Sequence, residues 1–221
     1  YADEIIVLSK GVQEYFLSQY NRQTHFIPNG VNRPEIKDAE LIKQWGLEKD
    51  SYILFLGRLV PEKGIRYLIE AYKNINTDKK LVIAGGSSDT DAFANELKES
   101  AKGEDRIIFT GFVQGQLLDE LYSNAFIYTL PSDLEGMPLS LLEAMSYGNC
   151  CLTSDIPECA EVVEDKAVTF KKSDVNDLKD KLAWLLNHED AVHTYKENAA
   201  DFICHKYSWD DVVEKTMELY K

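Results

Sequence analysis

Eight short apolar runs, rich in Ile, Val, Leu and aromatics, recur along the chain at intervals that mostly leave room for one helix each. This spacing is the signature of repeated strand-helix units and a parallel sheet. The candidate strands are Ile5 to Leu8, His25 to Pro28, Tyr52 to Leu56, Leu81 to Ala84, Ile107 to Thr110, Phe126 to Leu130, Cys151 to Thr153 and Val168 to Phe170. Between them run helical stripes such as Ile65, Leu68, Ile69, Tyr72 and Ile75, each able to cover a sheet face. Several strands end in glycine or a turn signal: Gly30, Gly57, Gly85-Gly86, Gly111 and Pro131. Ligands of open α/β sheets bind at such carboxyl edges.

After Phe170 the pattern changes to three successive helices, Asp174 to His188, Ala191 to His205 and Trp209 to Tyr220, so the sheet is expected to be complete by then. The polar stretch Asn32 to Glu40 is the candidate linker between the first two strands and the main array. An apolar strand opening at Ile5 suggests a chain cut from a longer one. No apolar run reaches the roughly 18 to 20 residues that span a bilayer, and the N-terminus does not read as a signal peptide, so the expected location is cytoplasmic. Cys150, Cys151, Cys159 and Cys204 lack Cys-x-x-Cys spacing and fit reduced thiols rather than a disulfide framework or zinc site.

The formal net charge of −14 argues against a nucleic-acid partner or an anionic lipid surface, so an anionic ligand needs a local exception. Gly57-Arg58-Leu59-Val60-Pro61-Glu62-Lys63-Gly64 offers one between the strongest strand and the strongest helix. It is neither a Walker A loop nor a Gly-x-Gly-x-x-Gly fingerprint. Arg58 and Lys63 could neutralise a diphosphate, Arg58 by forking across two oxygens, although a solvated loop would also satisfy the pattern.

The densest feature is Pro131 to Met145, in which Glu135 and Glu143 are separated by seven residues. Pro138 suits the first turn of a helix, which leaves Glu135 in the loop and Glu143 one to two turns inside. The carboxylates can then stand roughly 8 to 12 Å apart. That exceeds the separation of about 5 to 5.5 Å in a retaining glycosidase and suits two contacts along one extended ligand. Glu143 lies among Leu139, Leu141, Leu142, Ala144 and Met145, so it is expected to be buried and to need a partner. The N–H groups of Gly136, Met137 and Leu139 are expected to be free for an anion at the helix start. The alternative reading is a helix-start acid and a solvated one. Asp89-Thr90-Asp91 reads as helix capping by Ser88 or Asp89 rather than as a metal site. The four histidines are scattered and no nucleophile triad is apparent.

Taken in order, Ala2 to Ser9, Pro28-Asn29-Gly30-Val31, Gly57-Arg58-Leu59 with Glu62-Lys63-Gly64, Leu81 to Gly85, Phe109 to Val113, and Glu135 to Glu143 with Ala144-Met145 resemble the C-terminal, donor-binding half of retaining family 4 glycosyltransferases, group 1. Tyr207-Ser208-Trp209 is similar to the start of the family's final helix. The resemblance implies a GT-B architecture of two Rossmann-like domains, of which this chain would hold one doubly wound parallel sheet with a helical C-terminal tail. Residues 1–31 would be a remnant of the N-terminal acceptor domain and linker, residues 32–206 the donor-binding domain, and residues 207–221 the crossover helix, with Val212, Val213 and Leu219 left exposed. Membrane association of the full protein would not run through this acidic part.

By the same resemblance, Glu135 contacts the donor sugar, Glu143 the ribose, and Arg58 and Lys63 the diphosphate. Gly57 and the loop Gly136, Met137, Pro138 and Leu139 would line sugar and phosphates. Gly111, Phe112 and Val113 would hold the base. The substrate would be a UDP- or GDP-sugar, no cofactor or metal would be required, and the product would belong to glycan or polysaccharide biosynthesis. The segment Ser154-Asp155-Ile156-Pro157-Glu158 lacks the Gly-Gly pair common before Pro-Glu in the family, so no role is assigned to it. A nucleotide-sugar epimerase and a non-catalytic nucleotide-sugar-binding module are the competing readings. Without the acceptor domain, little or no transfer is expected.

Overall fold

A computed structural model describes residues 2–86 and 91–220. Strand β3 (Tyr52–Leu56) is buried over its first four residues and lies near the centre of a six-stranded, wholly parallel sheet. Its companions are β4 (Lys80–Ala84), β5 (Ile107–Gly111), β6 (Ile127–Leu130), β7 (Cys150–Ser154) and β8 (Val168–Phe170), in the order β5-β4-β3-β6-β7-β8. The chain builds outward from β3 to one edge, then returns to β6 and builds to the other. The strand order therefore reverses between β3 and β6, where a crevice opens at the carboxyl ends of a doubly wound sheet. The architecture is Rossmann-like, as the spacing of apolar runs implies.

Helix α2 (Ile65–Lys73) buries Ile65, Leu68, Ile69 and Tyr72, the stripe read from the sequence. The other sheet-associated helices are α3 (Ala92–Ser100), α4 (Gln116–Asn124), α5 (Leu139–Ser146) and α6 (Pro157–Val163). After β8 come α7 (Val175–Leu186), which packs on α2, and α8 (Glu189–Lys206), which packs on α5. No strand separates these late helices, in agreement with a sheet complete by Phe170.

The first two strands, β1 (Ile6–Val7) and β2 (His25–Phe26), make their own parallel pair outside the main sheet, joined by helix α1 (Lys10–Tyr20). Neither α1 nor the last helix, α9 (Trp209–Glu218), has a buried residue. Of the tail residues expected to be exposed, Val213 is, whereas Val212 and Leu219 are half-buried. They lie at other angles around α9, so one stripe of an amphipathic helix does not expose all three.

The polar linker is tied down by α4. Glu120, fully buried, accepts at Oε2 from the backbone N–H groups of Glu40, Leu41 and Ile42 (2.9, 2.7 and 3.2 Å), and at Oε1 from Gln116 Nε2 (2.8 Å). These N–H groups open a short 3-10 helix, Leu41–Trp45, where helical partners are lacking. Burial pushes the Glu120 carboxyl up, but the four donors outweigh it and hold it below its ordinary range. Asn124 Nδ2 adds a bond to the Lys37 carbonyl at 3.0 Å.

Candidate functional site

At the strand ends the β3 loop is fastened to its neighbour. Gly57 N donates to the Ala84 carbonyl (3.0 Å), Leu59 N to that of Gly86 (2.9 Å), and Gly85 N to that of Gly111 (2.9 Å). At Gly85, φ is +151° and an added Cβ would lie 1.8 Å from the Gly57 carbonyl oxygen, so the close approach requires glycine. A cavity of about 360 Å³ results, lined by Leu56, Gly57, Arg58, Ala84, Gly85, Gly86, Phe112 and Val113. Arg58 is exposed there and, among the described residues, makes no ion pair. Phe112, beside Gly111 at the end of β5, is 75% exposed and presents an aromatic ring to the opening, while Val113 is buried. Arg58, expected at the diphosphate, and Phe112 and Val113, expected at the base, therefore share one cavity.

The loops after β3 and β6 meet across the crevice. Asp133 N donates to the Glu62 carbonyl at 2.8 Å, and a Cβ on Gly64 (φ +66°) would lie 1.9 Å from the Pro131 carbonyl oxygen. This contact brings Lys63 Nζ to 2.6 Å from Glu135 Oε1, with the two side chains only 14% and 6% exposed. Ser132 Oγ donates to the same oxygen at 2.6 Å. Glu135 Oε2 accepts no hydrogen bond among the described residues, so one oxygen is anchored and the other is open to a donor. The loop itself is held by Ser154 Oγ on the Ser132 carbonyl (2.5 Å), and by Tyr67 (2.8 Å) and Ser173 (2.6 Å) donating to Asp133. Ser154 thus acts as a support beneath the Glu135 loop.

Two expectations about the following helix are corrected. The Leu139 N–H is not free, because it donates to the Met137 carbonyl at 2.9 Å. Pro138, with φ −79° and ψ 73°, makes that tight turn and occupies the cap position, so α5 begins one residue later. The N–H groups of Gly136 and Met137 find no acceptor among the described residues, and a Cβ on Gly136 would touch nothing within 4 Å. Second, Glu143 is exposed rather than buried, although Leu141, Leu142, Ala144 and Met145 around it are. Successive residues are rotated by about 100°, so Glu143 faces the gap beside α4 while these four neighbours face the core.

That gap is a cavity of about 540 Å³ lined by α4, α5, the loop from Asn29 to Pro34 and Trp209. Gly30 lies so close to Trp209 that a Cβ would approach the indole to 2.7 Å. Solvent reaches Glu143, yet the cavity walls desolvate it and raise its carboxyl pKa, a rise moderated by the Tyr122 hydroxyl donating to Oε2 at 3.0 Å. Tyr122 and Ser132 escape a reading of the sequence, since neither lies in a repeat, spacing or charge pattern; their roles come from contacts between separate elements.

Cys150, Cys151 and Cys159 are buried and Cys204 half-buried, all four free. Burial pushes the Cys150 and Cys159 thiols up to about 12, which makes them poor nucleophiles. The Asp89-Thr90-Asp91 capping reading falls largely outside the described residues. No helix among the described residues is long and apolar enough to cross a membrane.

Residues 37–219 match the family model described as glycosyl transferases group 1. An uncharacterized glycosyltransferase of Methanocaldococcus jannaschii is 30% identical over 235 residues, covering 99% of this chain and 60% of its own length. The alpha-maltose-1-phosphate synthase of Mycolicibacterium smegmatis is 25% identical over 244 residues, covering 100% and 63%. Among solved structures, the sucrose-phosphate synthase of Thermosynechococcus elongatus superposes with a TM-score of 0.84 at 26% identity, covering 100% of this chain and 58% of that one. The fold is shared with Anabaena HepE, solved with UDP and glucose, at a TM-score of 0.90 and 19% identity, over 100% and 63% of the two chains. The chain thus spans less than two thirds of the length of these proteins.

Proposed function

The chain belongs to the group 1 glycosyl transferases, and from that premise we propose that it is the donor-binding half of a retaining enzyme that moves a sugar from a nucleotide diphosphate to an acceptor hydroxyl. The observation that carries this reading is the meeting of Lys63 and Glu135 at 2.6 Å across the β3/β6 crevice, with Arg58, which makes no ion pair among the described residues, in the neighbouring cavity. A cation and a half-satisfied carboxylate side by side suit the junction of a diphosphate with a sugar. Glu135 Oε2 accepts from a sugar hydroxyl, while Lys63 and Arg58 face the phosphate oxygens. The N–H groups of Gly136 and Met137 add donors at the start of α5. The base lies by Phe112 and Val113, and Glu143 accepts from the ribose.

In the reaction the bond from the anomeric carbon to the diphosphate oxygen breaks, and a bond to the acceptor oxygen forms on the same face. The acceptor proton passes to the leaving phosphate oxygen. The contribution of Arg58 and Lys63 is to stabilise negative charge as it grows on the leaving group. We assign the acceptor to a second lobe, with residues 1–31 and 207–221 at the junction and residues 32–206 as the donor domain. The separate β1/β2 pair and the lack of buried residues in α1 and α9 support that division. This donor domain alone is then expected to bind donor without appreciable transfer.

Calorimetry with UDP, GDP and their sugars tests the reading. Arg58→Ala and Lys63→Ala should each weaken diphosphate binding about tenfold or more, with little change for uridine. No binding of any nucleotide at millimolar concentration, or equal affinities for wild type and both variants, would overturn it.

A further inference from the structure

We propose that Tyr122 is a positioning residue for donor recognition: its hydroxyl fixes one oxygen of Glu143 so that the other meets the ribose. This inference rests on the reading of Glu143 as the ribose contact. Tyr122 is 1% exposed, yet its hydroxyl reaches the cavity edge, donating to Glu143 Oε2 at 3.0 Å and sharing the Ser140 carbonyl at 3.3 Å. Glu143 Oε1 accepts no hydrogen bond among the described residues. A carboxylate on a flexible side chain at a solvent-filled cavity would otherwise sample several rotamers, and fixing it would cost ligand affinity.

The tyrosine is itself well placed to be rigid. Its ring stacks on Tyr147 with centroids 5.1 Å apart and planes at 18°, and Tyr128 packs at 6.0 Å. Tyr147 is anchored by its hydroxyl on Asp119 Oδ1 at 2.6 Å, and Tyr128 by its hydroxyl on Ser140 Oγ at 2.8 Å. Burial raises the Tyr122 phenol well above its ordinary range, so it stays protonated and remains a donor at any working pH. The titratable groups around Glu143 are Tyr122 and Asp119 from α4, Tyr147 at the cap just after α5 and Tyr128 from β6. The cavity-lining residues of the loop from Asn29 to Pro34, and Trp209, carry no charge. No cation competes with Tyr122 for the carboxylate within that lining.

The test compares UDP with its dideoxyribose analogue by calorimetry, across pH, on the 221-residue chain. Titration of the diphosphate is common to both ligands and cancels in the ratio of affinities. Wild type should prefer UDP about tenfold, the worth of one hydrogen bond to a charged group. Tyr122→Phe keeps the ring and its stacking and should cut the preference to about two- or threefold, with the pH at which it disappears moved upward. A ring-fluorinated tyrosine at position 122, which retains the hydroxyl as a stronger donor, should keep the preference and move that pH downward, giving a readout even if the Phe variant does not fold. In a Glu143→Ala background, Tyr122→Phe should cause no further loss. A wild type without ribose preference overturns the reading of Glu143 and this inference with it. A wild-type preference that survives unchanged in the Phe variant, or a pH that fails to move in the fluorinated one, overturns this inference alone.

Discussion

Glu120 and Glu143 sit on successive helices that touch through Tyr122, yet they are opposites in chemistry. Glu120 is enclosed, and among the described residues its donors are three backbone N–H groups of the linker and one side-chain amide. Glu143 opens onto a cavity and has one donor among the described residues, Tyr122. The first carboxyl is held below its ordinary pKa and the second above it, although desolvation pushes both upward. Four donors outweigh desolvation at Glu120, whereas the Tyr122 hydroxyl does not at Glu143. A carboxylate saturated from within serves the fold, whereas one left short of donors at a cavity is available to a ligand. Glu135 falls between, with one oxygen held by Lys63 and Ser132 and the other open.

The largest test of this contrast is Glu120→Ala. It strands three N–H groups at the start of the 3-10 helix and should cost about 3 kcal/mol of folding stability. Because the folded-state pKa of Glu120 is lowered, its contribution is present above the unfolded glutamate value and lost as pH falls through the lowered one. Chemical denaturation at several pH values should therefore show the gap between wild type and variant closing in acid. A variant as stable as wild type at neutral pH would break the comparison at its structural end.

A smaller effect is expected at the intermediate carboxylate. Ser132→Ala removes one donor from Glu135 Oε1 and leaves Lys63 in place. Stability should fall by about 1 kcal/mol, while affinity for a nucleotide sugar falls more than affinity for the bare nucleotide diphosphate, since only the sugar uses Glu135. Equal losses for both ligands would show that the serine supports the loop as a whole and does not act through Glu135.

How far these roles can be read from sequence follows from the range of the interactions. The sheet is legible because the apolar runs that build β3, β4 and β6 are local in sequence. Arg58, Lys63, Glu135 and Glu143 are legible as candidates because each lies in a short stretch marked by glycine or proline beside a strand end. Their partners are not: Lys63 is 72 positions from Glu135, Tyr122 is 21 from Glu143, and Glu120 is 78 to 80 from the amides it caps. The misjudged burial of Glu143 has the same origin. Five apolar neighbours suggest a helix buried all round, but whether one polar position meets core or cavity depends on where α4 and the linker lie.

The smallest expected effect is the most diagnostic. The folded-state pKa of Glu143 is raised, so the group favours the folded state at low pH, and that contribution is lost as pH rises through the raised value. At neutral pH its charge is therefore a cost. Glu143→Gln keeps an oxygen to accept from Tyr122 and removes that charge. The variant should be slightly more stable than wild type at pH 7 to 8, an advantage that solvent screening at this exposed site keeps small and that vanishes below the unfolded glutamate pKa of about 4.3. The same substitution should weaken the preference for an intact ribose, because an amide oxygen accepts more weakly than a carboxylate. Greater stability together with poorer ligand discrimination is what a group retained for binding predicts. A Gln variant less stable than wild type at neutral pH would place Glu143 with Glu120, as a structural carboxylate.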